Sequence, residues 1–349
     1  MRIVFYISGH GFGHASRDIE VMHAIAGRCP DARIVVRTGA PRWLFEATAP
    51  ASVEFAAVDT DTGMAQIDSL RHDEEATARQ AAQFYADFDR RADREADVLH
   101  SLQAQVVVGD IPPLAFAAAD RAGVPSVALG NFTWDWIYGI YPEFDRLAGG
   151  VIPLIGQAYA KTTLALRLPL HGGFEPMAAV TRDIPFIARR STRDPADVRR
   201  ALGVTDERAL VLASFGAYGA DLPLDRLRQS DRFTLIEPRR DPPPGLLYQD
   251  LVAAADVVVS KPGYGIVSEC VANDTALLYT SRGRFIEYDV FVAEMPRVLR
   301  CRYLSQENLL AGRWADAVDA LLAQSAPPER PRIDGAAVAA TAIMNLVIR

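Results

Sequence analysis

The sequence predicts an α/β protein made of two doubly wound, Rossmann-like domains. Short apolar runs alternate with segments patterned at helical spacing, the signature of parallel sheets covered by helices. That alternation stops in a stretch rich in Pro, Gly and charge over residues 168–195, then restarts at Ala209. The length of 349 residues fits two domains at roughly 150 residues each. The expected division is residues 1–188 and 189–330, with a terminal segment over 331–349 and the connection near 188–195.

The first half opens with a strand over residues 2–7, followed by a Gly-rich loop. A helix over 18–27 comes next, with Ile19, Met22, His23 and Ala26 on one face. Strands follow over 33–37 and, more weakly, 53–55. Residues 72–103 contain no Gly or Pro, and Phe84, Phe88, Ala92 and Leu99 share one face, so a single long amphipathic helix is expected. A strand over 105–109, a helix over 114–122 and a strand over 126–129 complete the pattern. In the second half, strands are expected over 209–213, 233–236, 256–259 and 276–279. Helices are expected over 249–255, 266–272 and 316–324, and a last one over 335–348 after Pro327, Pro328 and Pro331. Residues 241–245, with three prolines, read as an extended loop.

Composition excludes several classes. Thirty-seven basic against 44 acidic residues give a net charge of −7, which argues against a general nucleic-acid binder. No apolar stretch reaches the roughly 18 residues of a membrane span, and Met1 runs straight into a strand rather than a signal peptide. A transmembrane segment is therefore not expected, while a peripheral membrane contact stays open. Cys29, Cys270 and Cys301 are too widely spaced for a disulfide framework or a zinc site. A reducing cytoplasm is the expected setting.

Six constellations could carry chemistry. The first is the run from Gly9 to Arg17, with His10, Gly11, Gly13 and His14 directly after the first strand. Its glycines fit neither the dinucleotide fingerprint nor the Walker pattern, because His14 stands at the sixth position and no Gly-Lys-Ser/Thr follows. Two of six histidines in one loop at a ligand-binding edge still point to function. The second is Asp110, which is either the N-cap of the next helix or a carboxylate that orients a histidine. The third runs from Ser214 through Gly216 to Gly219, a small turn suited to an anion. The fourth contains Lys261, Gly263, Tyr264, Gly265, Ser268 and Glu269 at a strand–helix junction. Free amides at that helix start suit a phosphate, and Glu269 can accept two ribose hydroxyls or be a dipole-favoured residue of the first turn. The fifth, over 281–288, carries Arg282, Arg284 and Glu287 and reads either as a solvated loop or as a ligand edge. The sixth, over 131–138, contains Trp134 and Trp136, either core residues or a platform for a sugar or aglycone.

Taken together, these motifs resemble the GT-B nucleotide-sugar glycosyltransferases across essentially the whole chain. That resemblance implies two doubly wound domains facing a cleft, with the last helix returning to the N-terminal domain. The chain is similar to the glycosyltransferase-like N-terminal region of plant L-arabinokinases and its bacterial relatives. A wider resemblance is to MurG, the peptidoglycan N-acetylglucosaminyltransferase, over 261–269. It implies that Glu269 binds the donor ribose and that Gly263 to Gly265 face the diphosphate. MurG has Thr where this chain has Ile266, and its Gln-rich donor-sugar motif is replaced here by Phe285, Ile286, Glu287 and Tyr288, so donor-sugar identity does not carry over.

The resulting expectation is a glycosyltransferase with a nucleoside-diphosphate-sugar donor, read as UDP-linked, and an unidentified acceptor. It would need neither metal nor resident cofactor; Asp59-Thr60-Asp61 fits the letters of a metal motif but reads as a loop after a weak strand. His14 is the candidate base and Asp110 its partner, with inversion at the anomeric carbon. Ser214, Gly216, Tyr248, Lys261, Gly263, Tyr264, Gly265, Ser268, Glu269 and Glu287 are the donor-side candidates. His10, Gly11, Gly13, Arg17, Trp134 and Trp136 are those of the loop and acceptor side. Alternatives are a UDP-sugar epimerase on the same architecture and a nucleotide-sugar-binding regulatory protein without turnover.

Overall fold

The structure, a computed structural model, describes residues 1–216, 219–238, 243 and 245–347. The chain divides into two compact units. The first comprises Met1–Gln66, His72–Ile187 and Arg332–Arg349; the second comprises Ile67–Arg71 and Ala188–Pro331.

The first unit begins with β1 (Arg2–Ile7), α1 (Gly13–Arg28), β2 (Arg33–Thr38), α2 (Arg42–Thr48) and β3 (Val53–Ala57). It continues with α3 (Glu74–Tyr85), α4 (Phe88–Ser101), β4 (Val106–Asp110), α5 (Pro113–Ala122) and β5 (Ser126–Gly130). Three short helices, α6 (Trp134–Tyr138), α7 (Pro142–Leu147) and α8 (Val151–Tyr159), lead to β6 (Leu164–Arg167) and β7 (Thr181–Asp183). The seven strands are parallel in the order β3-β2-β1-β4-β5-β6-β7. β4 and β5 are buried along their full length, as a Val- and Ala-rich strand covered on both faces should be. Helix and sheet approach closely at Gly109, where a Cβ would lie 2.7 Å from Cζ of Phe116 in α5.

The second unit contains α9 (Pro195–Ala201), β8 (Ala209–Ala213), α10 (Leu224–Arg228), β9 (Phe233–Ile236), α11 (Tyr248–Ala254) and β10 (Val257–Ser260). Next come α12 (Tyr264–Asn273), β11 (Ala276–Tyr279), α13 (Ile286–Val298), β12 (Cys301–Tyr303), α14 (Gln306–Leu310) and α15 (Ala315–Leu322). Its five parallel strands run in the order β12-β11-β10-β8-β9. Its core gathers Val211, Val257, Leu278, Phe233, Trp314 and Leu321, and includes Leu70 from the excursion at residues 67–71. Ser69 of that excursion donates to the carbonyl of Phe215.

The chain returns to the first unit at residue 332. Phe186 N–H donates to the Arg332 carbonyl at 3.1 Å, Gly335 N–H donates to the Phe186 carbonyl at 3.0 Å, and Ile187 bridges Asp334. The outgoing and returning segments are so close that a Cβ at Gly335 would stand 2.2 Å from the Pro185 carbonyl oxygen. The last helix, α16 (Gly335–Val347), packs on α1, where Arg28 donates to the Ala337 carbonyl at 2.7 Å.

Several expectations need correction. The single helix over 72–103 is two, α3 and α4, broken at Ala86 and Asp87. Phe84, Tyr85 and Phe88 pack ring on ring, with centroids 5.2 and 5.3 Å apart, and an unbroken helix would aim Tyr85 away from the stripe shared by the other two. The first helix begins at Gly13 rather than Asp18, so it contains His14 and Arg17. Strands β6, β7 and β12 and helix α13 had not been expected. Asp110 is not an N-cap: Pro112 holds that position and Pro113 opens α5. The expected loop over 241–245 falls largely outside the described residues, as do Ala217 and Tyr218 of the Ser214 turn.

Candidate active site

Both sheets reverse their strand order beside their first strand, and ligands of open α/β sheets bind at the carboxyl ends on either side of such a reversal. In the first unit the reversal lies between β1 and β4, which carry the His14 loop and Asp110. In the second it lies between β8 and β10, which carry Ser214 and the run from Lys261 to Glu269.

In the first unit His14 and Asp110 meet. His14 Nδ1 lies 2.7 Å from Asp110 Oδ1, with the histidine 6% exposed and the aspartate fully buried. Burial alone would push the Asp110 carboxyl up, but Arg17 and His14 outweigh it and hold it at about 2. The carboxylate is thus ionised at neutral pH and accepts from His14 in the tautomer that carries its proton on Nδ1. The Nε2 lone pair of His14 is left to accept a proton. The Phe132 ring stands edge-on to the imidazole, centroids 5.5 Å apart.

Arg17 corrects an expectation. It does not face an acceptor: it is 4% exposed, and its guanidinium binds both oxygens of Asp110 through Nε and Nη2. Its Nη1 donates to Asn131 Oδ1 at 2.8 Å, and Nη2 lies 3.0 Å from His14 Nδ1. His14 and Arg17 stand three residues apart on α1 and therefore share a face. That spacing is the signal a helix start placed at Asp18 had hidden. Asp18 itself is fully buried, and neither carboxyl oxygen has a hydrogen-bond partner. Burial, then the neighbouring Asp110, pushes its carboxyl well above the usual range.

The other residues of this loop have structural contacts. His10 Nδ1 accepts from Met64 N–H at 3.3 Å, and its ring stands edge-on to Trp134. It fills the space over Gly63, where a Cβ would come within 2.9 Å of the ring. Gly11 adopts φ +79°, a conformation that side chains disfavour, and Gly13 opens α1. Trp134 is fully buried and its indole N–H donates to Asp61 at 2.8 Å, so it is a core residue and not a platform. Trp136 is half-buried, its ring lying where a Cβ on Gly172 would be. The Asp59-Thr60-Asp61 segment follows β3, and among the described residues no group of three His, Cys, Asp or Glu side chains is placed to hold a metal.

In the second unit α12 starts at Tyr264 behind an extended Gly263. It has no side-chain cap and no acid in its first turn, and the space in front of Gly263 is open. Its leading amides are therefore available to an anion. Glu269 is the sixth residue of the helix, beyond the first turn, which removes the dipole explanation for it. Arg189 Nε donates to Glu269 Oε1 at 2.6 Å and lies over the Tyr248 ring at 5.2 Å. Arg189 carried no sequence signal, since it falls outside the strand–turn–helix motifs. Tyr248 and Ser214 share a hydroxyl hydrogen bond of 2.6 Å, and burial raises the phenol. Ser268 is buried and donates to the Gly265 carbonyl of its own helix, so it does not reach out to a donor. Tyr264 is likewise buried. Gly216 adopts φ +66° in an exposed turn.

Lys261 lies beside the start of α12. Burial, then the Arg282 charge, pushes its ammonium down to about 7, against Glu287 and Asp68, which act to raise it. Glu287 is buried 3.7 Å from Arg282, so the segment at 281–288 is not simply a solvated loop. Arg282 also lies over the Phe285 ring at 3.9 Å.

This architecture of two doubly wound parallel sheets is the GT-B glycosyltransferase fold, and the chain superposes along its whole length on solved members. It matches a calicheamicin glycosyltransferase, CalG4, with a TM-score of 0.63 at 16% identity, covering 100% of this chain and 99% of that one. It matches Phytolacca americana UGT2, solved with UDP-2-fluoro-glucose and pterostilbene, with a TM-score of 0.59 at 13% identity over 99% and 94% of the two chains. A spinosyn rhamnosyltransferase, SpnG, gives 0.58 at 12% identity over 100% and 96%. In sequence the chain is a distant homologue of part of Arabidopsis thaliana L-arabinokinase, 29% identical over 366 aligned positions, spanning 99% of this chain and 34% of that protein. No protein-family model matches. Among the described residues no helix is long and apolar enough to cross a membrane.

Proposed function

We propose that this protein transfers a sugar from a nucleoside-diphosphate donor, UDP-linked, to a hydroxyl acceptor with inversion and without a metal. The observation that carries the proposal is the His14–Asp110 hydrogen bond at the sheet's switch point, which leaves Nε2 of a buried imidazole as proton acceptor. In this reading the acceptor hydroxyl gives its proton to His14 Nε2 as its oxygen attacks the anomeric carbon. The bond from that carbon to the diphosphate breaks, and the diphosphate leaves with the electron pair. The second unit supplies the donor contacts. Amides of α12 and the Lys261 ammonium take the diphosphate, Glu269 takes the ribose, and Tyr248 lies near the base. Glycosyltransferase neighbours solved with UDP-2-fluoro-glucose and with thymidine diphosphate support a nucleoside-diphosphate donor.

The test is incubation with a panel of nucleotide sugars, with and without cell extract, reading released nucleotide. Turnover is expected with a UDP-sugar and is expected to survive EDTA. His14→Ala should lose roughly 10²–10⁴ in turnover while binding UDP as the parent does. Near-normal turnover in that variant would refute the base assignment.

A further inference from the structure

We propose that Arg17 is a positioning residue that neutralises Asp110, so that Asp110 orients the His14 ring without holding it in the protonated form. This rests on reading His14 as the base. In a simple His–Asp pair the whole carboxylate charge faces the imidazole and favours the imidazolium, which cannot accept a proton. Here Asp110 is already bound through both oxygens by a buried guanidinium, and Arg17 Nη2 stands 3.0 Å from the nitrogen that His14 turns toward Asp110. A protonated His14 would therefore place two cations side by side against one carboxylate.

The groups around the ring leave that imbalance in place. Asp110 approaches from the end of β4 and Arg17 from α1, the ring's own helix. Phe132, after β5, offers only a ring edge, and the neighbouring Asn131 is neutral and accepts from Arg17. Two further carboxyls are close enough to act. Asp18, on α1, is fully buried without a hydrogen-bond partner. Asp61, after β3, accepts from Trp134. Burial raises both, so neither readily supplies the missing negative charge. The ring is oriented by a carboxylate whose charge is already met by the guanidinium.

The experiment is an NMR titration of the His14 ring in the full-length, ligand-free protein, assigned by the signal lost in His14→Gln. Arg17→Met should move the midpoint to higher pH by about one unit or more, a tenfold gain in proton affinity. Arg17→Lys, which keeps the charge, should return most of that shift. Because Arg17→Met strips the buried Asp110 of the guanidinium bound to both its oxygens and so costs stability, Asn131→Asp serves as a second, nearly isosteric probe. A carboxylate drawn onto the Arg17 guanidinium should also move the midpoint upward. Unchanged midpoints in a folded Arg17→Met and in Asn131→Asp would overturn the proposal, as would a downward shift in either. The readout needs no substrate, so it is separate from the His14→Ala turnover test: a shifted midpoint beside undiminished turnover in His14→Ala would remove the base reading and leave the Arg17 effect standing.

Discussion

Replacing Lys261 by methionine should make the protein more stable and bind UDP less well. The ammonium is pushed down from 10.5 to about 7, chiefly by burial and then by Arg282. At 1.36 kcal/mol per pH unit that difference is roughly 4–5 kcal/mol; because the side chain keeps some solvent contact, about 2–4 kcal/mol is the figure to expect. The sign follows from proton counting. Between pH 7 and 10.5 the unfolded chain binds more protons at this site than the folded one, so the wild-type protein gains stability as pH rises through that window. The penalty is therefore full below pH 7, and Lys261→Met should exceed the parent by the most near pH 6, the gap closing toward pH 10. Urea unfolding at pH 6, 7.5 and 9 would measure it. The same depression predicts proton uptake on binding. At pH 7.5 about three quarters of such lysines are neutral, so a diphosphate that restores the charge should draw in about 0.7 proton per site. Titration calorimetry of UDP in two buffers of different ionisation enthalpy reads that number. Equal stability of parent and variant at pH 6, together with buffer-independent UDP enthalpies at pH 7.5, would refute the reasoning.

Two other outcomes follow from the same structure. Glu269→Ala removes a charge-assisted contact and should weaken UDP binding about ten- to a hundredfold, read by calorimetry; unchanged affinity would remove Glu269 from the ribose site. Asp110→Asn should lower stability at pH 7 by about 3–5 kcal/mol, because Arg17 would be left buried without its counter-charge. Asp110 is held at about 2 against an ordinary 3.8, so its own contribution is present above pH 4 and lost as pH falls toward 2. The gap between parent and Asp110→Asn in acid denaturation should narrow over that interval.

Much of the fold was legible in the sequence because its strands are continuous apolar runs. Residues 209–213 and 276–279 are strands end for end. β7 and β12 were not legible: at three residues each they carry no period, and they exist because a neighbouring strand offers them a ladder. The site divided in a similar way. The Gly-His loop, Asp110 and the start of α12 were visible from their positions after strands. The side chains that tune them were not. Arg17 depended on where α1 begins, and Arg189 reaches Glu269 across 80 residues of sequence. Trp134 shows the limit of residue type as a guide, since a tryptophan beside a ligand edge and one under it are spelled the same way.

The membership of residues 67–71 and 332–349 has a consequence for biosynthesis. Each unit lacks a piece until a distant part of the chain arrives: Leu70 belongs to the core of the second unit, and α16 to the flank of α1. A ribosome would release about three hundred residues beyond α1 before that helix could be covered by Ala339, Ala340 and Ile343, all buried in the folded protein. The nascent first sheet must therefore wait with that flank wet, and its final closure depends on residues 332–335 finding the strand-like segment at 184–187. Cutting the gene at residue 188 would yield two fragments, each missing a part of its own interior. Co-expression of the two halves, rather than either alone, is the arrangement this interlacing favours.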